Sequence, residues 1–364
     1  MDVAVIGGGP AGLAVAVAAA RRGMRVAVIE SSQPPIDKAC GEGLMPDSQD
    51  AARRIGIEFP AGMGRPFRGV RFHDDGVEAE SPFPQGAGIG VRRTVLHQHM
   101  VDVAAAAGVE LVFGAVCTGI EGKTVRLATG ALQARWIVGA DGSQSRVRNW
   151  AGLGAVRSER ARYGYRKHFR VTPWSDFIEI HWGDGRQVYV TPVSEEEICV
   201  VAMSCDSQLR LSEVLSRFPA LAARLPESAA ISSERGSVAG SRVVQRVTSG
   251  NVALAGDASG SVDAITGEGL CLAFRQADAL AAAMERGCLD SYESAHRAAM
   301  RQPLRMGELM LTLDRWPGLR RRVIPALAAR PELFQNLLAL HVSEVSVARI
   351  ATTAASLCWG VISQ

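Results

Sequence analysis

A chain of 364 residues is long enough for two or three units that share cores. Its 47% apolar and 21% charged content is ordinary for a globular protein, and a net charge of +3 with only four tyrosines excludes a basic or stacking nucleic-acid surface. Seven scattered cysteines with no Cys-x-x-Cys exclude a disulfide framework and a cysteine zinc site, and predict a reducing cytoplasm; no apolar run reaches bilayer length, and no basic leader opens the chain.

Asp2 to Ile6 reads as a short apolar strand running into Gly7-Gly8-Gly9-Pro10-Ala11-Gly12. An alanine-rich helix follows to about Arg22, then a strand from Arg25 to Ile29 that ends at Glu30. Gly7 suits a tight turn, Gly9 a close approach of backbone to a pyrophosphate, and Gly12 close packing of helix on strand. A diphosphate on that helix N-terminus meets unpaired N–H groups and a favourable dipole, and Glu30 is placed to accept from a ribose hydroxyl.

Further on, Lys38 to Leu44 is a glycine-containing loop and Pro46 to Gly56 a short helix. Residues 68–91 alternate as strands and turns, and Arg92 to Ala107 is a helix carrying His97 and His99 on different sides. Val109 to Phe113 is a strand and 114–136 a small β excursion. Trp136 to Gly139 is a strand emptying into Ala140-Asp141-Gly142-Ser143, with a helix from Ser145. Four strands are predicted between 160 and 205, the last three as an antiparallel meander. A helix spans Leu211 to Leu225, Val252 to Ala255 is a strand ending in Gly256-Asp257, and a helix runs from Gly269 to about Met284. The chain from 290 onward reads as helices broken at Pro303, Pro317, Pro325 and Pro331.

Three glycine/acid loops therefore lie at carboxyl ends of strands, where open α/β sheets bind ligands. With Arg93-Thr94-Val95-Leu96 opening its helix, the chain resembles the single-component flavin hydroxylases and the related geranylgeranyl reductases over roughly residues 1–300. The resemblance implies an α/β fold: a Rossmann-type FAD-binding domain from 1–70, 91–155 and 246–300, an antiparallel β-sheet substrate domain from 71–90 and 156–245, and C-terminal helices over 301–364. It also implies non-covalent FAD. Gly7, Gly9, Pro10, Ala11 and Gly12 meet the pyrophosphate, Glu30 the ribose, and Arg93 the FAD chain. Cys40 and Gly41 lie beside the flavin. Asp141 and Gly142 hold FAD and meet NADH or NADPH, and Asp257, after Gly256, bonds the ribityl chain. Gly267, Glu268, Gly269 and Leu270 bring a helix N-terminus to the flavin N1/C2 region, where reduced flavin carries negative charge.

The chain sits between branches. Gly-Glu-Gly-Leu and Lys38-Ala39-Cys40-Gly41-Glu42-Gly43 look like the reductases, whereas Tyr189-Val190-Thr191-Pro192 is nearer the hydroxylases, and Ala264 stands where hydroxylases carry proline. Glu42 and Glu268 are open to two roles, loop anchors or proton donors, with anchoring favoured. Cys40, Tyr165 and His181 are weak catalytic candidates, each with a packing or solvated alternative. The strand Phe177 to Trp182 puts Glu179 and His181 on one face and Ile178 and Ile180 on the other. No metal is expected. The leading expectation is an NAD(P)H-consuming monooxygenase that hydroxylates an apolar, phenolic or quinone-like molecule with dioxygen through a flavin C4a-hydroperoxide, as in specialised metabolism. The alternative is reduction of isolated C=C bonds in a lipophilic substrate. The basic, partly apolar segment Arg315 to Ile324, with the apolar segments Leu333 to Leu340 and Ile350 to Ile362, allows either peripheral membrane contact or docking on the FAD domain with the arginines in solvent.

Overall fold

The computed structural model describes residues 1–154 and 161–342, with the backbone alone for the strand Val156–Ser158. Two large sheets organise it. The first has six strands. Val3–Ile6 lies at its centre between Val26–Glu30 and Trp136–Gly139, all parallel, with Glu110–Phe113 at one side and Val252–Leu254 and Thr248–Ser249 at the other. Val3, Ala4, Val5, Ile137 and Val138 are wholly buried, as strands covered on both faces must be, which is why they read as apolar runs instead of alternating. The helix Pro10–Ala20 and the helix Gly269–Glu285 pack against each other on this sheet. Small side chains allow that approach: from Ala14 to Ala19 every residue is alanine or valine, and all are buried.

The second sheet has seven strands, in the order Arg235–Ala239, Arg162–Phe169, Ile198–Ser204, Arg186–Pro192, Phe177–Gly183, Gly69–Asp74, Val77–Pro82. Its neighbouring strands pair antiparallel except for Phe177–Gly183 and Gly69–Asp74, which run parallel. One face packs against the short helices Leu211–Leu215 and Pro219–Ala222. The other faces the flavin-type domain and the C-terminal helices Asp290–Arg315, Pro317–Ala329 and Pro331–Val342.

Several sequence expectations need correction. The single helix expected over Leu211 to Leu225 is two short pieces, because Phe218 leaves helical geometry ahead of Pro219, as a residue before proline tends to. Pro303 and Pro325 do not break their helices; the breaks fall at Pro317 and Pro331, each at a helix start where a missing N–H costs nothing. The small sheet of Gly43–Leu44, Arg65–Phe67 and Gly88–Gly90 is too short to show as a pattern. The apolar stretch Ile350 to Ile362 lies outside the described residues. Among the described residues no helix is long and apolar enough to cross a membrane.

Arg320 also departs from expectation. It is 1% exposed, not in solvent, and its guanidinium holds Asp74 at 3.1 Å and Asp184 at 2.9 Å, clamping the helix Pro317–Ala329 onto the second sheet. Removing one partner of such a buried pair strands the other. Arg320→Met is therefore expected to destabilise the fold by about 3–5 kcal/mol in denaturant titration; a loss within the error of the measurement would show the clamp to be dispensable.

Candidate active site

A single continuous cavity of about 1270 Å³ runs between the two sheets. It exceeds the ~300–1,000 Å³ of an ordinary ligand pocket, so it has room for a dinucleotide and a second molecule. One end is built by the first strand and its turn. Gly7 sits at φ +112°, and a Cβ there would lie 2.3 Å from the Ala140 carbonyl oxygen; one on Gly12 would lie 1.9 Å from the Gly7 oxygen. A Cβ on Gly9, by contrast, would meet no atom within 4 Å; this residue faces the open cavity, as do Gly41, Gly142 and Gly269. These four positions leave space for a ligand; Gly7 and Gly12 leave space for protein.

The N-terminus of Pro10–Ala20 has no side-chain cap and no acidic residue in its first turn, so its free N–H groups and dipole are available to an anion. Glu30 closes the turn from beneath: its carboxylate accepts from Gly8 N at 2.8 Å and from Ser32 N at 2.8 Å, which holds it at the cavity wall. His97 braces the same turn by a 2.8 Å bond between Nε2 and the Gly8 oxygen, and burial lowers its pKa. Arg93 is 8% exposed and lines the cavity, and its Nε finds no hydrogen-bond partner. An unpaired buried donor beside an anion cradle fits a phosphate-bearing cofactor.

Asp141 lines the cavity but its carboxylate is already used. It accepts from Ser145 Oγ at 2.5 Å, Arg146 N at 2.7 Å and Val147 N at 3.1 Å, so it caps the helix Arg146–Trp150. Asp257 pairs with Lys38 at 3.2 Å, a pairing the two separate motifs do not announce. Gly256 takes φ +60°, with its N–H on Gln276 Oε1 at 2.7 Å. At the far end of this half, Gly267 turns the chain at φ +69° into the helix Gly269–Glu285, whose N-terminus again lacks a side-chain cap. Of the expected cofactor residues, only Gly12 and Glu268 stand behind the lining instead of in it.

Glu268 is 3% exposed, its Oε2 has no partner, and its nearest titratable neighbour is His341, with Nδ1 3.9 Å from Oε1. Burial pushes the Glu268 carboxyl up, against the pull of His341 and Arg275 and with the push of Asp47. His341 lines the cavity, its Nε2 lies 2.9 Å from the Thr266 oxygen, and its Nδ1 also lacks a partner. Among the described residues Glu268 thus anchors no backbone, whereas Glu42 does: it accepts from Arg93 N at 2.9 Å and meets His168 Nε2 at 2.7 Å. Cys40 lines the cavity with its sulphur accepting from Glu42 N at 3.4 Å.

Beyond the flavin-type half the cavity turns apolar. Val70, Phe72, Ile178 and Ile180 come from the sheet, Met310, Leu327, Phe334 and Leu338 from the C-terminal helices. Two catalytic candidates are corrected here. Glu179 and His181 project from the opposite face of the sheet, and so does Tyr165, whose hydroxyl bonds the Ser207 carbonyl at 3.1 Å amid the cluster under the short helices. The period-two geometry of a strand that sends Ile178 and Ile180 to the cavity sends these side chains away from it.

A profile of the FAD binding domain family matches residues 1–305. Menaquinone reductase of Mycolicibacterium smegmatis is 26% identical over 367 residues, covering 86% of this chain and 85% of the relative. Digeranylgeranylglycerophospholipid reductase of Methanocella arvoryzae is 28% identical over 292 residues, 74% of this chain and 73% of the relative. Among solved structures, a flavin-dependent brominase superposes with a TM-score of 0.80 at 17% identity, covering 100% of this chain and 99% of its own. Gly12→Ala, which drives a methyl into the Gly7 carbonyl, is expected to weaken FAD binding at least tenfold and to give colourless protein on purification; yellow protein with unchanged FAD affinity by fluorescence titration would show that the turn yields.

Proposed function

We propose, for a chain that belongs to the FAD binding domain family and is a flavin-dependent oxidoreductase, the NAD(P)H-driven reduction of an isolated C=C bond in a lipophilic, prenyl-like substrate. The carrying observation is the apolar half of the cavity, continuous with the dinucleotide half, with His341 on the wall there and Glu268 behind it. Two relatives aligned over most of the chain are named as reductases, which supports the same direction.

Bound FAD would supply a hydride, the part of the chemistry that no side chain provides. The protein's own part is separate. Gly9, Gly142 and Gly269 leave open space in which the cofactor would lie, and Lys38 and Asp257, on the same cavity wall, would help to hold it. The uncapped helix after Gly267 favours negative charge beside the ring. Adding a hydride and a proton across C=C also needs an acid in a place where water is excluded. Burial raises the Glu268 pKa and so favours its protonated form, and His341, with Nδ1 3.9 Å away, stands between it and the cavity; a proton from this pair would reach the substrate once His341 Nε2 leaves the Thr266 carbonyl. Exposed Leu309 and Leu319 line the cavity and Trp316, 65% exposed, stands between their helices, which suits entry from a membrane surface.

One observation favours a second reading, hydroxylation of a phenolic or quinone-like molecule. Tyr189 puts a phenol on the cavity wall, 3.5 Å from the Ile265 oxygen, where it could orient a substrate hydroxyl; burial raises its pKa. Turnover of a prenylated quinone under anaerobic conditions separates the two. A product gaining two hydrogens per reduced bond supports reduction; a requirement for dioxygen and a product gaining one oxygen atom overturns it.

The Glu268 carboxyl also has a stability signature. A carboxyl whose native pKa lies above its unfolded value binds its proton more tightly when folded. Stability is therefore highest below its ordinary 4.5 and falls as pH rises through the raised native value. Glu268→Gln is expected to remove this loss, so the variant gains Tm relative to wild type between pH 5 and 8 while reduction slows at least tenfold. A Tm difference that does not change with pH would show that Glu268 does not titrate in the fold.

A further inference from the structure

We propose that His73, Glu179 and His181 form a site for a divalent transition ion of the zinc type, on the sheet face turned away from the cavity. The site is independent of the redox reading above. Parallel pairing of Gly69–Asp74 with Phe177–Gly183 sets His73 beside His181 and Arg71 beside Glu179. His73 Nε2 and His181 Nε2 both point at Glu179 Oε2, at 3.7 and 3.3 Å, and the three ligand atoms lie within 4.8 Å of one another. Metal–ligand bonds of about 2.0–2.2 Å in tetrahedral geometry put neighbouring donors roughly 3.3–3.5 Å apart. The spacing is that of a site still slightly open.

The surroundings suit an ion. His73 Nδ1 lies 3.3 Å from Glu78 Oε1, the carboxylate–imidazole contact that places the proton on Nδ1 and leaves Nε2 free to ligate. That Nε2 is buried and has no hydrogen-bond partner. Glu179 is oriented by Trp174 Nε1 at 3.0 Å on one oxygen and Arg71 Nη1 at 3.3 Å on the other. Three carboxylates, Glu78, Glu80 and Glu179, outweigh the one guanidinium of Arg71, so the cluster carries an excess negative charge that a divalent cation would neutralise. Two imidazoles with one carboxylate select zinc-like ions over magnesium or calcium. The imidazoles stack at 4.2 Å with planes 4° apart, and ligation would tilt them toward a common point; their side chains, 21% and 14% exposed, leave an edge open for the ion and a completing water.

An ion here would staple the parallel pairing of this sheet, which joins strands more than a hundred residues apart, directly behind Val70, Phe72, Ile178 and Ile180 of the cavity wall. The test is calorimetric titration of zinc chloride into chelator-treated, FAD-loaded protein, with magnesium as control. One zinc per chain, no magnesium heat, a Tm rise of several degrees at saturation, and at least tenfold weaker binding in the His73→Ala/His181→Ala double variant at unchanged FAD content are expected. Glu179→Gln, and His73→Gln alone should the double variant not fold, weaken zinc binding in the same way. Absence of zinc binding to wild type, or equal binding by the variants through exposed Cys205 and Cys288, overturns the site.

Discussion

The molecule depends on a seam of buried charge along one strand. Arg162, Arg166 and His168 stand at alternate positions of Arg162–Phe169, and all three project toward the cofactor half. Each finds an acid there: Arg162 meets Asp263 at 2.9 Å, Arg166 meets Asp37, and His168 meets Glu42 at 2.7 Å. Their acids come from the loop around the Gly-Glu-Gly turn and from the segment before the last flavin-type helix. The seam therefore sets the distance between two sheets that share no strand. Desolvating the two guanidinium groups costs several kcal/mol apiece, so the seam is a poor source of stability and a strong source of specificity, because any other docking leaves two buried arginines and an imidazole unpaired.

The same alternation divides labour across the second sheet. Residues on the cavity side are charged where they meet the cofactor loops and apolar where they meet the C-terminal helices, so the cavity passes from a polar to a dry half along one surface. Asp314 illustrates the transition. Burial raises its carboxyl pKa against the pull of Arg162 and Arg320, and Gln187 Nε2 donates to it at 2.5 Å, closing the polar end of the helix Asp290–Arg315 before the apolar wall begins. A dry half next to the uncapped N-terminus of Gly269–Glu285 concentrates its field, since little water is there to screen it.

How much of this is legible in the sequence depends on whether a signal is local. Gly7, Gly9 and Gly12 announce a turn because their spacing falls within six residues, and the parallel core strands announce themselves as apolar runs. The sheet faces are legible too: the alternation of Phe177 to Trp182 is enough by itself to separate Ile178 and Ile180 from Glu179 and His181. What alternation cannot say is which face meets the ligand, because that is decided by helices more than a hundred residues away. His168 and His341 carry no motif at all; each matters through contacts made by the tertiary fold. Pro303 misleads in the same sense, since a proline's local penalty can be absorbed where packing on both sides holds the helix together.

Glu42 shows why the loop beside the flavin cannot be simplified. Its φ of +59° is the left-handed conformation that glycine takes freely and other residues occupy at a cost of order 1–3 kcal/mol. Both of its neighbours are glycine, so chain geometry alone would favour a third. Glutamate remains because its carboxylate does two things at once: one oxygen accepts the first N–H of the helix Arg93–Ala106, and the other holds His168 on the second sheet. Its backbone oxygen also accepts from Val91 N at 2.8 Å. A glycine would relieve the backbone and leave an imidazole and a helix N-terminus unanswered in a dry interior. The strain is the smaller cost, and it places the loop carrying Cys40 and Gly41 against the cavity by way of the same seam that fixes the sheets.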